Sequence, residues 1–427
     1  MRTGVVRAAA VLCLLLAAAV ISEAYSVLTH EQVVDLVWLD HIRPMLLKRF
    51  PAATPDQLRQ AHAHAYGGCL IQDMGYYPFG NKDFSDLTHY VRSGDFVMNL
   101  LKEAHDMNEY AFALGALAHY VSDVWGHPAV NRAVAIRFPK LQRKFGPSVT
   151  YAEDPTEHIR TEFGFDVVQV AKNRYTSDAF HDFIGFEVDK DQLERAFLDT
   201  YGIEMSDIFN DEDRSIGSYR HAVSKMIPSL TRAALVTRRE RMMKEDPTFS
   251  KKKFLYNLSR SQYQREWGKN YQHISFGARI LAFFIKILPK IGPLRVAKIT
   301  DPTPQTEDMY LKSVNQTVDH MDAALEDVQA GTLKLENRDF DTGQLTAPGE
   351  YNLTDKAYAT LLHKLAKRNF DHLTPELRAN ILQFYGDMSA NLETKRHKDD
   401  WKELQANLEK MKTAQVSSQP SAISYQP

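Results

Sequence analysis

Cysteine is almost missing from this sequence: two of 427 residues, Cys13 and Cys69. Cys13 falls inside the N-terminal apolar run, so once that run is removed Cys69 stands alone and no internal disulfide can form. An exported chain without a disulfide draws its stability from packing or from bound metal. Glycine is also scarce, at 20 residues, while Leu, Ala, Lys and Glu are abundant, a balance that favours helix. Alternating apolar and polar stretches long enough for a sheet are lacking, which excludes the sandwich and barrel classes. A net charge of −2 lacks the surplus of Lys and Arg that a general nucleic-acid binder carries. After the N-terminus no apolar run reaches the roughly 20 residues that span a bilayer. The most hydrophobic stretch, RILAFFIKILPKIGPL at 279–294, is interrupted by Lys286, Pro289 and Lys290. It reads as a buried helix, with peripheral contact with a lipid surface as the alternative.

What is present begins with a targeting pattern. Arg2 and Arg7 precede an apolar run ending at Ile21, and Ser22 and Ala24 are small residues at the positions a signal peptidase reads. Residues 1–24 are therefore expected to be a signal peptide, cleaved after Ala24 to expose Tyr25 and leave a secreted or periplasmic protein. Helical periodicity predicts helices over 31–50, from Thr54 to the glycines at 67–68, and over 84–106, 108–126, 156–173, 191–210, 215–245, 257–288 and 304–332. The expected fold class is all-α, a multi-helix bundle over 25–332. Residues 333–353, rich in Asp, Gly, Pro and Thr, read as an ordered loop. Further charged helices occupy 354–413, and 414–427 reads as a disordered tail.

The segment 108–126 is apolar nearly all round, as a central helix is, yet AHYVSDVWGHP places His119, Asp123 and His127 at four-residue spacing on one helical face. Pro128 is expected to end that helix, leaving His127 just past its last turn. HIRTE gives His158 and Glu162 at the same spacing, and His30, Asp73 and His89 precede them. Repeated histidine–acid pairs on separate helices are how a bundle core builds a multinuclear metal site, because facing helices converge without a loop to hold rigid. Imidazole with carboxylate suits zinc. A buried Asp123 would be costly as a lone anion, and a cation removes that cost. His62 and His64 point to different sides of one helix, and His41, His105 and His181 have no partner at ligand spacing; replacing His62 is expected to change little.

In order and type these residues resemble the zinc-dependent phospholipase C family, whose helical fold and trinuclear zinc cluster are shared with the S1/P1-type nucleases. The resemblance implies that Tyr25, through its own amine and carbonyl, is a ligand. By the same resemblance Asp73, His89, His119 and Asp123 hold one zinc, His127, His158 and Glu162 a second, and Tyr25, His30 and Asp123 a third. Asp73 is implied as the catalytic group that orients or deprotonates the attacking water. Departures are visible: Tyr25 stands where Trp is usual, fewer residues separate Asp123 from His127, and Leu28, Met74 and Asp86 do not rebuild a choline pocket. Glu162 stands where the nuclease branch has Asp, whereas the short spacing from Tyr25 to His30 is closer to that branch. The expected function is hydrolysis of the glycerol–phosphate bond of phospholipids or another phosphodiester, with no stable nucleic-acid complex. A single-strand nuclease, or a helical protein keeping a structural zinc cluster, are the alternatives.

Overall fold

The computed structural model describes residues 26–171, 185–227, 300–386, 392–396 and 398–416. Residues 1–24, expected to be a signal peptide, Tyr25, the apolar stretch 279–294 and residues 417–427 lie outside the described residues. Among the described residues there are 14 α-helices and no strand, apart from one isolated antiparallel bridge between Arg338 and Leu345. None of these helices is long and apolar enough to cross a membrane.

Helix α1 (Val27–Val37) continues through a π-helical turn into α2 (Arg43–Arg49). Helix α3 (Pro55–Gly68) starts where Thr54 and Gln57 cap each other and Pro55 occupies the first turn, a position that needs no N–H donor. One helix is expected over 84–106, but the chain divides into α4 (Lys82–Tyr90) and α5 (Ser93–Lys102). The break lies at Arg92, whose left-handed φ of 50° cannot continue a helix. Its side chain donates to the Thr200 carbonyl at 2.5 Å, which fixes the turn.

Helix α6 (Met107–Arg137) begins at Asp106, whose carboxylate accepts from the N–H groups of Asn108 and Glu109. Every residue from Tyr110 to Val124 is buried, so α6 is the axis of the molecule. After α7 (Pro139–Phe145) come α8 (Pro155–Ala171), α9 (Lys190–Tyr201), α10 (Glu212–His221) and α11 (Pro304–Ala330), and α1, α3, α5, α8 and α11 pack around α6. The α3–α6 crossing is close: a Cβ on Gly115 would stand 2.0 Å from the Ala65 carbonyl oxygen, so only glycine fits. The expected stop at Pro128 does not occur, and α6 runs through it for two further turns. Proline in a helix removes the bond to the carbonyl four residues back, here that of Val124. Gly343 lies against that carbonyl, where a Cβ would come within 2.4 Å of the oxygen, and its φ of +71° likewise requires glycine.

Gly343 belongs to the segment between α11 and α12 (Asn352–Lys367) that the composition marks as a loop. Its Asn337 side chain accepts from the N–H groups of Gly94 and Asp95, both at 3.1 Å, and so caps α5, which has no cap of its own. Helices α12, α13 (Pro375–Phe384) and α14 (Lys398–Thr413) close the chain, and Tyr358, Leu361 and Met411 join the same buried cluster as Leu117 and Phe112.

Candidate metal centre

Each described residue of the anticipated ligand set is buried, and five separate elements carry the eight of them. His30 comes from α1, Asp73 from a 3-10 turn after α3, His89 from α4, His119, Asp123 and His127 from α6, and His158 and Glu162 from α8. The close α3–α6 crossing places Asp73 beside the middle of α6. Two groups of donors converge, His30 with His119 and Asp123, and Asp73 with His89 and His119, each within 4.8 Å.

The hydrogen-bond pattern fixes which nitrogen of each ring faces the centre. His89 Nδ1 lies 2.8 Å from the Ser85 carbonyl and His119 Nδ1 2.9 Å from the Cys69 carbonyl. A carbonyl only accepts, so Nδ1 carries the proton in both rings and Nε2 presents a lone pair. These Nε2 atoms face carboxylates: His119 to Asp123 Oδ2 at 3.0 Å, His89 to Asp73 Oδ1 at 3.3 Å and to Asp123 Oδ2 at 3.6 Å. His30 Nε2 lies 3.4 Å from Asp123 Oδ1, its ring stacked on that of His119. Among the described residues both oxygens of Asp73 and both of Asp123 lack a hydrogen-bond partner. Acceptors facing acceptors in a dry interior repel unless a cation lies between them. Two donors sharing a tetrahedral zinc at about 2.1 Å stand about 3.4 Å apart, the spacing seen here. The donor set therefore fits zinc.

Metal-free electrostatics say the same. Burial opposes the charged forms, yet Asp123 and Asp73 outweigh it and raise the His119 and His89 pKa values, while the histidines around Asp123 hold its carboxyl low against burial. The carboxylates thus favour positive charge at the place a cation would take. His30, by contrast, is pushed well down by burial and by His119, so it stays a neutral donor.

His127 is placed on α6 rather than beyond it, and it is not in either converging group. Its Nδ1 lies 3.3 Å from Oδ1 of Asp341, a residue of the loop before α12. His158 Nδ1 lies 2.8 Å from Glu162 Oε1, and its Nε2 2.7 Å from Asn131 Oδ1. Burial and the neighbouring His127 push the His158 pKa down to about 3, so this imidazole is neutral at physiological pH. His127 and His158 approach edge to face, ring centres 5.6 Å apart. The site thus has a convergent part around Asp123 and a looser part around His127, and Tyr25 lies outside the described residues.

Asp341, Asn131 and Asp166 were not singled out from the sequence. Asp166 accepts from the Leu28 N–H at 3.0 Å and the Thr29 hydroxyl at 2.8 Å, and so anchors the first turn of α1 ahead of His30. Burial raises its pKa to about 6 against these bonds. Asp341 sits in the run Asp339-Phe-Asp341-Thr-Gly343, whose turn residues were the available signal. His62 needs correction too: it is buried, hydrogen-bonded to Asp35 at 3.0 Å and stacked on Trp38, which makes it a structural residue and not a dispensable one.

A cleft of about 280 Å³ lined by Pro128, Asn131, Arg132, Ser148, Thr150 and Thr342 opens beside the His158 side of the site. Comparison with known families matches residues 29–211 to the family described as zinc dependent phospholipase C. Neither the curated proteins nor the solved structures gave a match. All eight described donors fall within the matched residues, and zinc is the metal that both the family and the donor chemistry support. Residues 29–211 are thus similar to the zinc-dependent phospholipase C family, and the all-α fold of the described residues is consistent with the phospholipase C and P1 nuclease type.

Proposed function

We propose that this chain is a secreted or periplasmic hydrolase that uses about three zinc ions to cleave the glycerol–phosphate bond of phospholipids. The observation that carries the reading is the pair of buried triads sharing His119, whose Nε2 lone pair faces Asp123 within residues matched to the family. The assignment gives Asp73, His89, His119 and Asp123 to one ion, His127, His158 and Glu162 to a second, and Tyr25, His30 and Asp123 to a third. Zinc, when bound, supplies Lewis acidity toward the phosphoryl oxygens and lowers the pKa of the attacking water. The protein's part is to hold the donors and keep bulk water out, since His30, Asp73, His89, His119 and Asp123 are all buried. Asp73 is assigned to orient the attacking water and accept its proton. Export rests on the cleavage pattern at Ala24, and peripheral lipid contact on the apolar stretch 279–294.

The test is the purified mature protein, reconstituted with zinc and offered phospholipid vesicles, a p-nitrophenyl phosphodiester and single-stranded DNA. Release of diacylglycerol and a phosphorylated headgroup is expected. Degradation of DNA with neither of the other substrates touched would replace this reading with an S1/P1-like nuclease. Bound zinc without hydrolysis of any of the three would mark a structural cluster.

A further inference from the structure

Asp341 lies outside the residues matched to the family, on the loop between α11 and α12, yet it reaches both histidines of the looser part of the site. Its Oδ2 accepts from the Tyr90 hydroxyl at 2.9 Å and from the Tyr351 hydroxyl. Its Oδ1 has no hydrogen-bond partner among the described residues and stands 3.3 Å from His127 Nδ1. Both ring nitrogens of His127 are likewise without a hydrogen-bond partner among the described residues. In His89 and His119 the division of labour is visible: Nδ1–H goes to a neighbouring carbonyl and Nε2 faces the centre. The same division at His127 gives Nδ1–H to Asp341 and leaves Nε2 for the metal, which satisfies every atom left over.

The main chain of Asp341 acts on the other histidine. Its carbonyl accepts from Asn131 Nδ2 at 2.7 Å, so the Asn131 amide is oriented and its Oδ1 is an acceptor. That acceptor is 2.7 Å from His158 Nε2, which must therefore carry the proton. The His158 Nδ1 lone pair is then the one that faces Glu162. The loop itself is held in place by Gly343 against the Val124 carbonyl and by the Asn337 cap on α5.

We infer that Asp341 is a positioning residue of the zinc centre: its carboxylate takes Nδ1–H of His127 and its carbonyl, through Asn131, sets the tautomer of His158. The C-terminal loop is thereby part of the metal site, which the matched residues alone do not complete. The inference rests on the zinc reading above.

The experiment is a zinc titration of the metal-free mature protein, wild type beside Asp341→Asn, with the visible spectrum of the cobalt-substituted forms and melting with and without zinc. Losing such an outer carboxylate costs about 10–100-fold in metal affinity. A loss of that size is expected, with a changed cobalt spectrum and a metal-free melting temperature close to wild type. Wild-type affinity and spectrum in the variant would overturn the inference. So would an equal drop in metal-free and zinc-loaded melting, which marks a purely structural role, and so would loss of one whole zinc at saturation, which marks a direct ligand. Wild type that takes up no zinc would remove the zinc reading and this inference with it. Tyr351→Phe keeps the ring and removes one grip on Asp341; it is expected to weaken zinc binding less than Asp341→Asn. Unchanged zinc affinity in that variant, should Asp341→Asn fail to fold, would equally overturn the proposal.

Discussion

His62 Nε2 and Asp35 Oδ1 stand 3.0 Å apart, and so do His119 Nε2 and Asp123 Oδ2. The first contact is a hydrogen bond, Asp35 also accepts from the Tyr66 hydroxyl, and the His62 ring stacks on Trp38 with centres 3.8 Å apart. In the second, the ring proton is already given to the Cys69 carbonyl, and neither facing atom has a hydrogen-bond partner among the described residues. Equal distance thus covers two different states. A buried polar pair that is satisfied is part of the core, and one that is not satisfied requires something between its members.

Asp123→Asn should act most strongly: it removes the carboxylate that faces His30, His89 and His119, and we expect zinc uptake to fall with phosphodiester hydrolysis dropping about 10³-fold or more. Zinc content and turnover on a p-nitrophenyl phosphodiester measure this, and full zinc content in the variant would contradict the assignment. His62→Ala should do the reverse, costing about 2–4 kcal/mol of stability through a lost stack and an abandoned Asp35 while zinc per chain is unchanged. Denaturant unfolding with metal analysis on the same sample separates the two effects.

Asp166 sharpens the contrast through pH. Its folded pKa, raised by burial to about 6, exceeds the ordinary 3.8, so its share of stability is full below about pH 4 and is lost as pH rises through about 6. The share is on the order of 2–3 kcal/mol. In metal-free protein the stability difference between wild type and Asp166→Asn should therefore change between pH 4 and 7, and a constant difference would refute the burial argument. Gly343→Ala should have the smallest effect, about 1–2 kcal/mol, because the loop can lift locally away from Val124. It should also weaken zinc binding at the His127 side more than around Asp123, which the cobalt spectrum reports.

Much of the fold was legible because α6 is apolar on nearly all sides and its neighbours are amphipathic, a pattern that depends only on local sequence. The same holds for His119 with Asp123 and for His158 with Glu162, since four-residue spacing on one helix predicts adjacency. His127 misled for a physical reason: proline normally ends a helix, but here Gly343 packs on the carbonyl that Pro128 leaves without a helical partner. Asp341 and Asn337 were illegible because they act over more than two hundred residues, the first at His127 and the second at the start of α5. His62 looked idle because its partner Asp35 lies on another helix, and no periodicity within α3 reports that.

The central claim is that the unsatisfied acceptors around Asp123 mark a metal centre. Calorimetric zinc titration of the metal-free mature protein in two buffers of different ionisation enthalpy tests it most directly. Tight zinc uptake with release of protons is expected in wild type, because Asp123 and Asp73 favour the protonated forms of His119 and His89, which zinc binding displaces, and loss of that uptake is expected in Asp123→Asn. Wild-type protein that binds no zinc, or an Asp123→Asn variant that binds it with the same affinity and proton release, would contradict it.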